Sequence, residues 1–145
     1  MRDRILELKF REHREFCYIR KGVSEYINEA LSNLSQSQAI LMEVAVNEAI
    51  NNALKHGTNQ KKNANLVTLK LFILNNRQLI MKVRDSGEGF PGNEILEALP
   101  IKQCFISEEA LKENGRGILI MKSATDKLKY NHKGNEVTLI KNLRH

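Results

Sequence analysis

The chain has 145 residues and a formal net charge of +6, with 41% hydrophobic and 28% charged residues. This length and balance predict one globular domain, residues 1–145, with a sizeable core, and they argue against a disordered or fibrous protein. The basic residues are spread along the chain in short clusters, which does not fit a nucleic-acid-binding tail, so no direct nucleic-acid contact is expected. The surplus charge predicts a solvated surface, or attraction for an anionic ligand or an acidic partner.

The two cysteines and the apolar runs bear on where the protein works. Cys17 and Cys104 are far apart and lack the spacing of a metal site, so we expect reduced thiols in a cytoplasmic protein. No long apolar run follows a basic start, and no stretch reaches about 18 apolar residues. We therefore expect neither a signal peptide nor a membrane span.

The first third of the chain predicts a strand and two helices. "ILELKF" (5–10) alternates in polarity as a strand does, and residues 14–34 place apolar side chains at helical spacing. "SQSQ" (35–38) offers serine caps for a second helix, from about Gln38 to His56, which Gly57 would end. Apolar residues lie nearly all round this second helix, so we expect it to be largely buried.

The remainder predicts paired strands and short helices. "LVTLKLFILNN" (66–76) and "QLIMKVRD" (78–85) are two strands whose junction, Asn75-Asn76-Arg77, is a hairpin signal. After them come a Gly-rich stretch (86–92), a short helical run (93–99), a Gly-rich turn before a helix from about Ile118, and two closing strands (127–130 and 135–143). Hairpins outnumber βαβ crossovers in this order. It predicts an α+β two-layer sandwich, a mixed, mostly antiparallel sheet with helices on one face.

The second helix carries a polar pair on an otherwise apolar face. Glu48 and Asn52 are one helical turn apart and point the same way, with Lys55 following. A buried carboxylate without a partner is costly, so either nearby protein groups satisfy the pair or the pair does chemistry. The residues alone leave both interpretations open.

A second stretch, "VRDSGEGF" (83–90), runs an apolar strand into Asp85-x-Gly87-x-Gly89. Glycines allow a sharp turn and a close approach of the backbone to a ligand. A carboxylate at a strand end can accept a hydrogen bond from an exocyclic amine such as that of adenine. A Gly-rich turn without a ligand is the alternative.

A third stretch, "ENGRGILIMKS" (113–123), places Gly115, Arg116 and Gly117 before an apolar-faced helix. Free amides at a helix start suit a phosphate, and Arg116 adds positive charge. Glycines that only relieve strain are the alternative. The pattern is neither a Walker A motif nor a GxGxxG after a strand, so P-loop and Rossmann folds are excluded.

In order and spacing, the three stretches together resemble the ATP-binding domain of the GHKL superfamily, the Bergerat fold. Glu48-x-x-x-Asn52 is similar to the N box, Asp85-x-Gly87-x-Gly89 to the G1 box and Gly115-x-Gly117 to the G2 box. The flanks "EVAVNEAINNALKHG", "GRGILIMKSATDKLKY" and "NEVTLIKNL" are similar to the anti-sigma-factor serine kinases. This second resemblance covers nearly the whole chain.

The resemblance implies ATP and Mg²⁺ as ligands and gives each motif a role. Asn52 would coordinate Mg²⁺, Glu48 would be the general base, and Asp85 would accept from the adenine amino group. Residues 91–114 would form a lid over the nucleotide. The implied nucleotide-binding residues are Asn52, Lys55, Asp85, Gly87, Gly89, Gly115, Arg116, Gly117 and Asn135. Family members carry Gly-Thr where this chain has Gly134-Asn135. Asparagine can still hydrogen-bond, so we expect nucleotide binding to persist.

The function implied is that of an ATP-dependent protein serine/threonine kinase and anti-sigma factor. Its implied partners are a sigma factor and an anti-anti-sigma (STAS-type) protein that it phosphorylates, with a homodimer left open. The charged face of the first helix, including Arg14, Arg20 and Lys21, is expected to help dock an acidic partner. Two alternatives stand beside this function: a nucleotide-gated binding module with little catalysis, and a detached histidine-kinase catalytic domain. The second is disfavoured because we expect no phosphoacceptor helix pair before residue 1 and because the four histidines, His13, His56, His132 and His145, are scattered.

Overall fold

A computed structural model describes residues 4–57, 65–89, 91–102 and 116–143 of the chain. The elements in chain order are β1 (Leu6–Phe10), α1 (His13–Ala30), α2 (Gln36–Gly57), β2 (Val67–Leu74), β3 (Gln78–Arg84), α3 (Gly92–Lys102), α4 (Arg116–Ala124), β4 (Lys127–Tyr130) and β5 (Glu136–Asn142). The strands form one sheet in the order β1-β2-β3-β5-β4, and each pairing is antiparallel. The predicted α+β architecture is confirmed.

One face of the sheet packs against the helices and forms the core. Strand alternation sends Leu69 and Leu71 of β2 to this face, opposite Val83 and Met81 of β3. The same face of β5 supplies Val137 and Leu139. The helical side of the core comes from α1, α2 and α4: Phe16, Val23, Tyr26, Ile27, Met42, Ala45, Val46, Ala49, Ile50, Ile118 and Met121.

The hairpin between β2 and β3 is confirmed. Asn75 and Asn76 both have positive φ, 53° and 58°, as a primed hairpin turn requires, and asparagine tolerates this region better than most residues. The Arg77 amide closes the turn on the Leu74 carbonyl at 3.0 Å.

Helix ends follow the capping residues. The Glu15 carboxylate accepts from the backbone amides of Arg11 and Glu12, which satisfies donors ahead of α1. Ser35 caps α2 as predicted, since its hydroxyl accepts from the Gln38 amide at 3.3 Å. At its other end α1 is shorter than predicted. It stops at Ala30, and residues 31–34 continue as turns.

The prediction that α2 is largely buried is wrong for its first half. Ile40, Leu41 and Val44 are 52%, 42% and 39% exposed, while Met42 and Ala45 on the opposite side are fully buried. In a two-layer sandwich the helices form an outer layer, so one side of each faces away from the sheet whatever residues it carries. None of the helices in the described ranges has the combination of length and apolarity needed to cross a bilayer.

Candidate nucleotide site

The Glu48–Asn52 pair meets the start of α4. A Cβ atom built on Gly117 would lie 2.9 Å from the Glu48 Oε2 atom and 3.3 Å from the Asn52 Nδ2 atom. A side chain at this position would push the Glu48 carboxylate aside, so glycine leaves room for Glu48 and Asn52 against the first turn of α4. Both side chains are half-buried rather than fully buried, and Lys55, further along α2, is exposed. The fold thus brings the first and third sequence motifs together.

The helix that Gly117 belongs to starts earlier than predicted. It begins at Arg116 rather than near Ile118, so Gly117 is in its first turn. The amides of this first turn have no partner inside the helix and carry the positive end of its dipole. Gly117 in this turn lies against Glu48 and Asn52, so the amides of the turn could donate hydrogen bonds to an anion close to this pair. Gly115 and the side chain of Arg116 lie outside the described part of the chain.

Asp85 directly follows β3 and is held on two sides. It is 8% exposed, and its Oδ1 atom accepts the Gly87 amide at 2.7 Å. Its backbone amide donates to the Asn135 carbonyl at 2.9 Å. A carboxylate has acceptor sites on both oxygens, so the bond from Gly87 leaves capacity for a second donor.

The surroundings of Asp85 change its acidity. Burial raises the pKa of its carboxyl group, and the hydrogen bond from Gly87 and the charge of Lys133 partly oppose that rise. A ligand that donates a hydrogen bond to the ionised carboxylate would replace part of the hydration lost on burial. The site is therefore suited to a neutral donor such as an exocyclic amine.

A cleft between α2 and the sheet joins these features. Its walls are Ala49, Asn52, Ala53, Val83, Asp85, Tyr130, Gly134, Asn135, Glu136 and Val137. Apolar residues of α2 and the sheet share these walls with the buried carboxylate of Asp85 and the side-chain amides of Asn52 and Asn135, a combination that suits a heteroaromatic ring bearing an amine. Asn52 also neighbours Glu48 and Gly117, so it links the ring end of the site to the anion end.

Asn135 is tied into the protein through both ends of its side chain. Its Oδ1 atom accepts from Asn131 at 2.8 Å, and its Nδ2 atom donates to the Asp85 carbonyl at 3.2 Å. Asn131 in turn accepts three backbone amides, those of Gly134, Asn135 and Glu136. Gly134-Asn135 stands at the position where members of the resembled family carry Gly-Thr. In this chain the Asn135 side chain, itself held by Asn131, hydrogen-bonds the Asp85 carbonyl and fixes the Asp85 peptide group.

The two glycines of the Asp85 turn have different surroundings. Gly87 bonds Asp85 through its amide. Gly89 has a φ of +92°, and a Cβ atom on it would overlap the Lys133 carbonyl group. At Gly89 the backbone thus comes close to the loop between β4 and β5. The resemblance implied instead that the backbone at Gly87 and Gly89 comes close to the nucleotide.

Sequence reasoning missed Asn65 and Ser86, which connect the cleft's walls. Asn65 donates to the Ala53 carbonyl of α2 at 3.4 Å and accepts the Ser86 amide at 3.2 Å. The Ser86 hydroxyl exchanges hydrogen bonds with both backbone groups of Leu66. We call Asn65 and Ser86 the Asn65 clamp. It ties the residue after Asn52 to the residue after Asp85.

The start of the predicted lid is anchored to β4. The Asn93 side chain donates to the Tyr130 carbonyl at 2.9 Å and accepts the Tyr130 amide at 3.0 Å. Gly92 packs directly under the Tyr130 ring, where a Cβ atom would overlap it. Burial raises the pKa of Tyr130, so its phenol stays neutral in the cleft wall. Residues 103–114 of the predicted lid lie outside the described residues.

The donor set fits Mg²⁺ carried by a nucleotide. The Asn52 amide oxygen is a hard ligand of the kind Mg²⁺ prefers, and Mg²⁺ usually takes most of its other ligands from phosphates and water. Within the described ranges no cluster of three or more His, Cys, Asp or Glu side chains could hold a metal ion by itself. A metal ion beside Asn52 would therefore depend on the phosphates of the ligand.

Comparison with known proteins agrees with this geometry. Residues 16–141 match the profile of the histidine kinase-like ATPase domain family. The chain is also 28% identical over 130 residues to the anti-sigma F factor of Clostridium acetobutylicum, a match that covers 89% of this chain and 85% of that protein. The family match spans both walls of the cleft, and the predicted membership of the GHKL superfamily is confirmed. The chain belongs to the histidine kinase-like ATPase family, whose ligand is ATP.

Proposed function

We propose that this chain is an ATP-dependent protein serine/threonine kinase that acts as an anti-sigma factor. Its partners would be a sigma factor and an anti-anti-sigma protein, the latter phosphorylated on Ser or Thr. Similarity to the anti-sigma F factor supports the regulatory half of this proposal. The catalytic half is supported by the residues around Gly117.

The observation that carries the proposal is the position of the Glu48 carboxylate. Its Oε2 atom lies 2.9 Å from where a Gly117 Cβ would be, in the first turn of α4 and next to Asn52. If the first-turn amides hold the terminal phosphate, Glu48 is within reach of a hydroxyl that attacks it. A module that only bound nucleotide would need Asn52 and Asp85 but no carboxylate at this place.

The proposed reaction follows from these positions. The Asp85 carboxylate accepts a hydrogen bond from the adenine amine and so fixes the orientation of ATP. The amides in the first turn of α4 hold the γ-phosphate. Glu48 takes the proton of the client hydroxyl as its oxygen bonds to the γ-phosphorus. The bond from that phosphorus to the β–γ bridging oxygen breaks, and ADP leaves with the electron pair. Mg²⁺, when bound at Asn52, supplies positive charge to the phosphates.

Two substitutions on α2 separate catalysis from binding. Glu48→Gln keeps the size of the side chain but cannot take a proton, so we expect phosphoryl transfer to fall about 10²–10⁴-fold while ATP binding stays close to wild type. Asn52→Ala should weaken Mg-ATP binding and abolish transfer with it. The readout is single-turnover transfer from labelled ATP to a client identified by ATP-dependent pull-down and phosphopeptide mapping.

The chain offers matched controls on the same helix. Glu43→Gln and Asn51→Ala make the same chemical changes away from Glu48 and Asn52, and both should leave transfer unchanged. Wild-type transfer by Glu48→Gln would remove Glu48 as the base. If the wild type binds ATP and its client but transfers no phosphate, the protein is a nucleotide-gated binding module instead.

A further inference from the structure

The face of the sheet turned away from the helices holds most of the surplus charge of the chain. We call it the open face, and define it as the outward positions of β1–β5, those that do not point into the core. It carries six cations, Lys9, Lys70, Lys82, Arg84, Lys127 and Lys129, and two carboxylates, Glu7 and Glu136. Six positive and two negative side chains give the open face a net charge of +4, compared with +6 for the whole chain.

The strand register sorts the open face into rows that run across the strands. The cationic row is Glu7, Lys70, Lys82, Thr138 and Lys129, which are neighbours in the pairing of successive strands. The apolar row is Phe72, Ile80 and Ile140, with Lys127 at its end. Neighbours within a row are about 4.8 Å apart, and the two rows are about 7 Å apart along the strands.

The apolar row is separate from the core. Ile80 is 5% exposed and lies between Phe72 and Ile140, both of which are partly exposed, and none of the three belongs to the core cluster. On one side the row is flanked by the cationic row. On its other side the outward residues are uncharged: Leu74, Gln78 and Asn142. The apolar row therefore has positive charge along one of its two long sides and uncharged residues along the other.

We propose that the open face docks an acidic amphipathic helix of a partner protein. A helix laid across the strands repeats every 5.4 Å or so, close to the strand spacing of about 4.8 Å, so its turns can contact Phe72 and Ile140, with Ile80 buried between them. Carboxylates on one flank of the helix would then lie over Lys70 and Lys129, whereas Lys82 between them already contacts Glu136 at 3.9 Å. Because only one flank of the apolar row is cationic, the pairing sets the orientation of the helix.

Other occupants fit the face less well. A second copy of this chain would bring two faces of charge +4 together, and like charges across an interface are repulsive. Single-stranded nucleic acid binds by stacking bases on several aromatic rings, and Phe72 is the one aromatic residue at the outward positions of these strands. A duplex or an anionic membrane would use the cations but would not account for the separate apolar row beside them.

The test is a titration of the full-length, isotope-labelled chain with a synthetic peptide of about five helical turns that carries a leucine stripe and a glutamate flank. We expect chemical-shift changes at the outward residues of β2, β3 and β5. Lys70→Glu with Lys129→Glu should weaken binding about tenfold or more, because each reversal turns an attraction into a repulsion. Arg77→Glu with Lys122→Glu makes the same charge change off the open face and should leave the affinity unaltered.

A third variant separates the apolar row from the charges. Phe72→Thr keeps a strand-forming residue, so it should weaken peptide binding while leaving the salt dependence of binding as in the wild type. The proposal is overturned if the shifts map outside the open face or are absent at millimolar peptide. Equal binding of a peptide with lysine in place of glutamate overturns it too, as does tighter binding to this face by oligothymidylate or by phosphatidylserine vesicles. Apart from Glu136, which borders both, the open face lies across the sheet from the cleft, so these results do not depend on the proposed kinase activity.

Discussion

Asp85 is the residue on which recognition of the nucleotide base depends most. It is buried at the end of β3, bonded to Gly87 and fixed through its peptide to Asn135. Asp85→Asn keeps an acceptor for the Gly87 amide, so the turn should survive. Losing the charge-assisted bond to adenine should cost about 1.5–3 kcal/mol, roughly tenfold to a hundredfold in affinity.

Calorimetric titration with ATP checks this prediction. The matched control is Glu88→Gln, which removes an exposed negative charge from the same turn and should bind ATP normally. An Asp85→Asn protein with wild-type affinity would show that the adenine ring is recognised elsewhere.

The raised pKa of Asp85 makes binding depend on pH in a defined direction. Because the folded pKa lies above the unfolded one, ionisation of Asp85 lowers the free energy of unfolding of the empty protein as pH rises through that window. A ligand that donates to the carboxylate needs the ionised form. Affinity should therefore fall as the solution is acidified through the folded pKa, which is above the usual range for Asp.

Adenosine is the ligand for this experiment, because its lack of phosphates removes their own titration from the result. The wild type should lose affinity as the pH falls through the raised pKa of Asp85, and Asp85→Asn should show a weak affinity without that dependence. An affinity for adenosine that stays level through the same pH range would contradict the role given to the carboxylate.

At the scale of elements, the Asn65 clamp joins α2 to the turn after β3. Asn65→Ala removes the donor to Ala53 and the acceptor for Ser86 in a buried position, so the free energy of unfolding should drop by about 1–3 kcal/mol. Because the clamp sets Asn52 and Asp85 relative to each other, ATP affinity should also fall at temperatures where the variant is folded. Asn51→Ala, on an exposed side of α2, should change neither quantity.

Denaturant unfolding and ATP titration of the same samples separate two roles of the clamp. Reduced stability together with reduced affinity is expected. Reduced stability with wild-type affinity would mean that Asn65 holds the fold but does not position the site.

The elements also show what sequence patterns can and cannot predict. Polarity alternation and turn residues placed the β2–β3 hairpin correctly, because these signals are local. Exposure of Ile40 and Leu41 was not predictable, since periodicity shows which side of a helix is apolar but not what covers it. The bond between Asn65 and Ser86 joins residues 21 positions apart and depends on tertiary folding.

At the scale of the whole molecule, the two faces of the sheet have separate chemistry. The helical face holds the core and the cleft, and the three motifs that predicted a nucleotide site come from α2, the end of β3 and the start of α4. The order and spacing of the three motifs could predict a shared nucleotide site, because this combination of a Glu–Asn pair, an Asp-Gly-Gly turn and a Gly-rich helix start is far more specific than any one motif. It could not predict that Asn135 is used to hold the Asp85 peptide, since that depends on Asn131.

We propose that ATP binds in the cleft with its base at Asp85 and its terminal phosphate at the start of α4. Amide chemical-shift mapping of the full-length chain during a Mg-ATP titration tests it most directly. We expect large changes at Gly87, Asn135 and Gly117, and much smaller changes at Gly117 with adenosine, which has no phosphates. Shifts confined to the open face, or equal changes at Gly117 with both ligands, would contradict it.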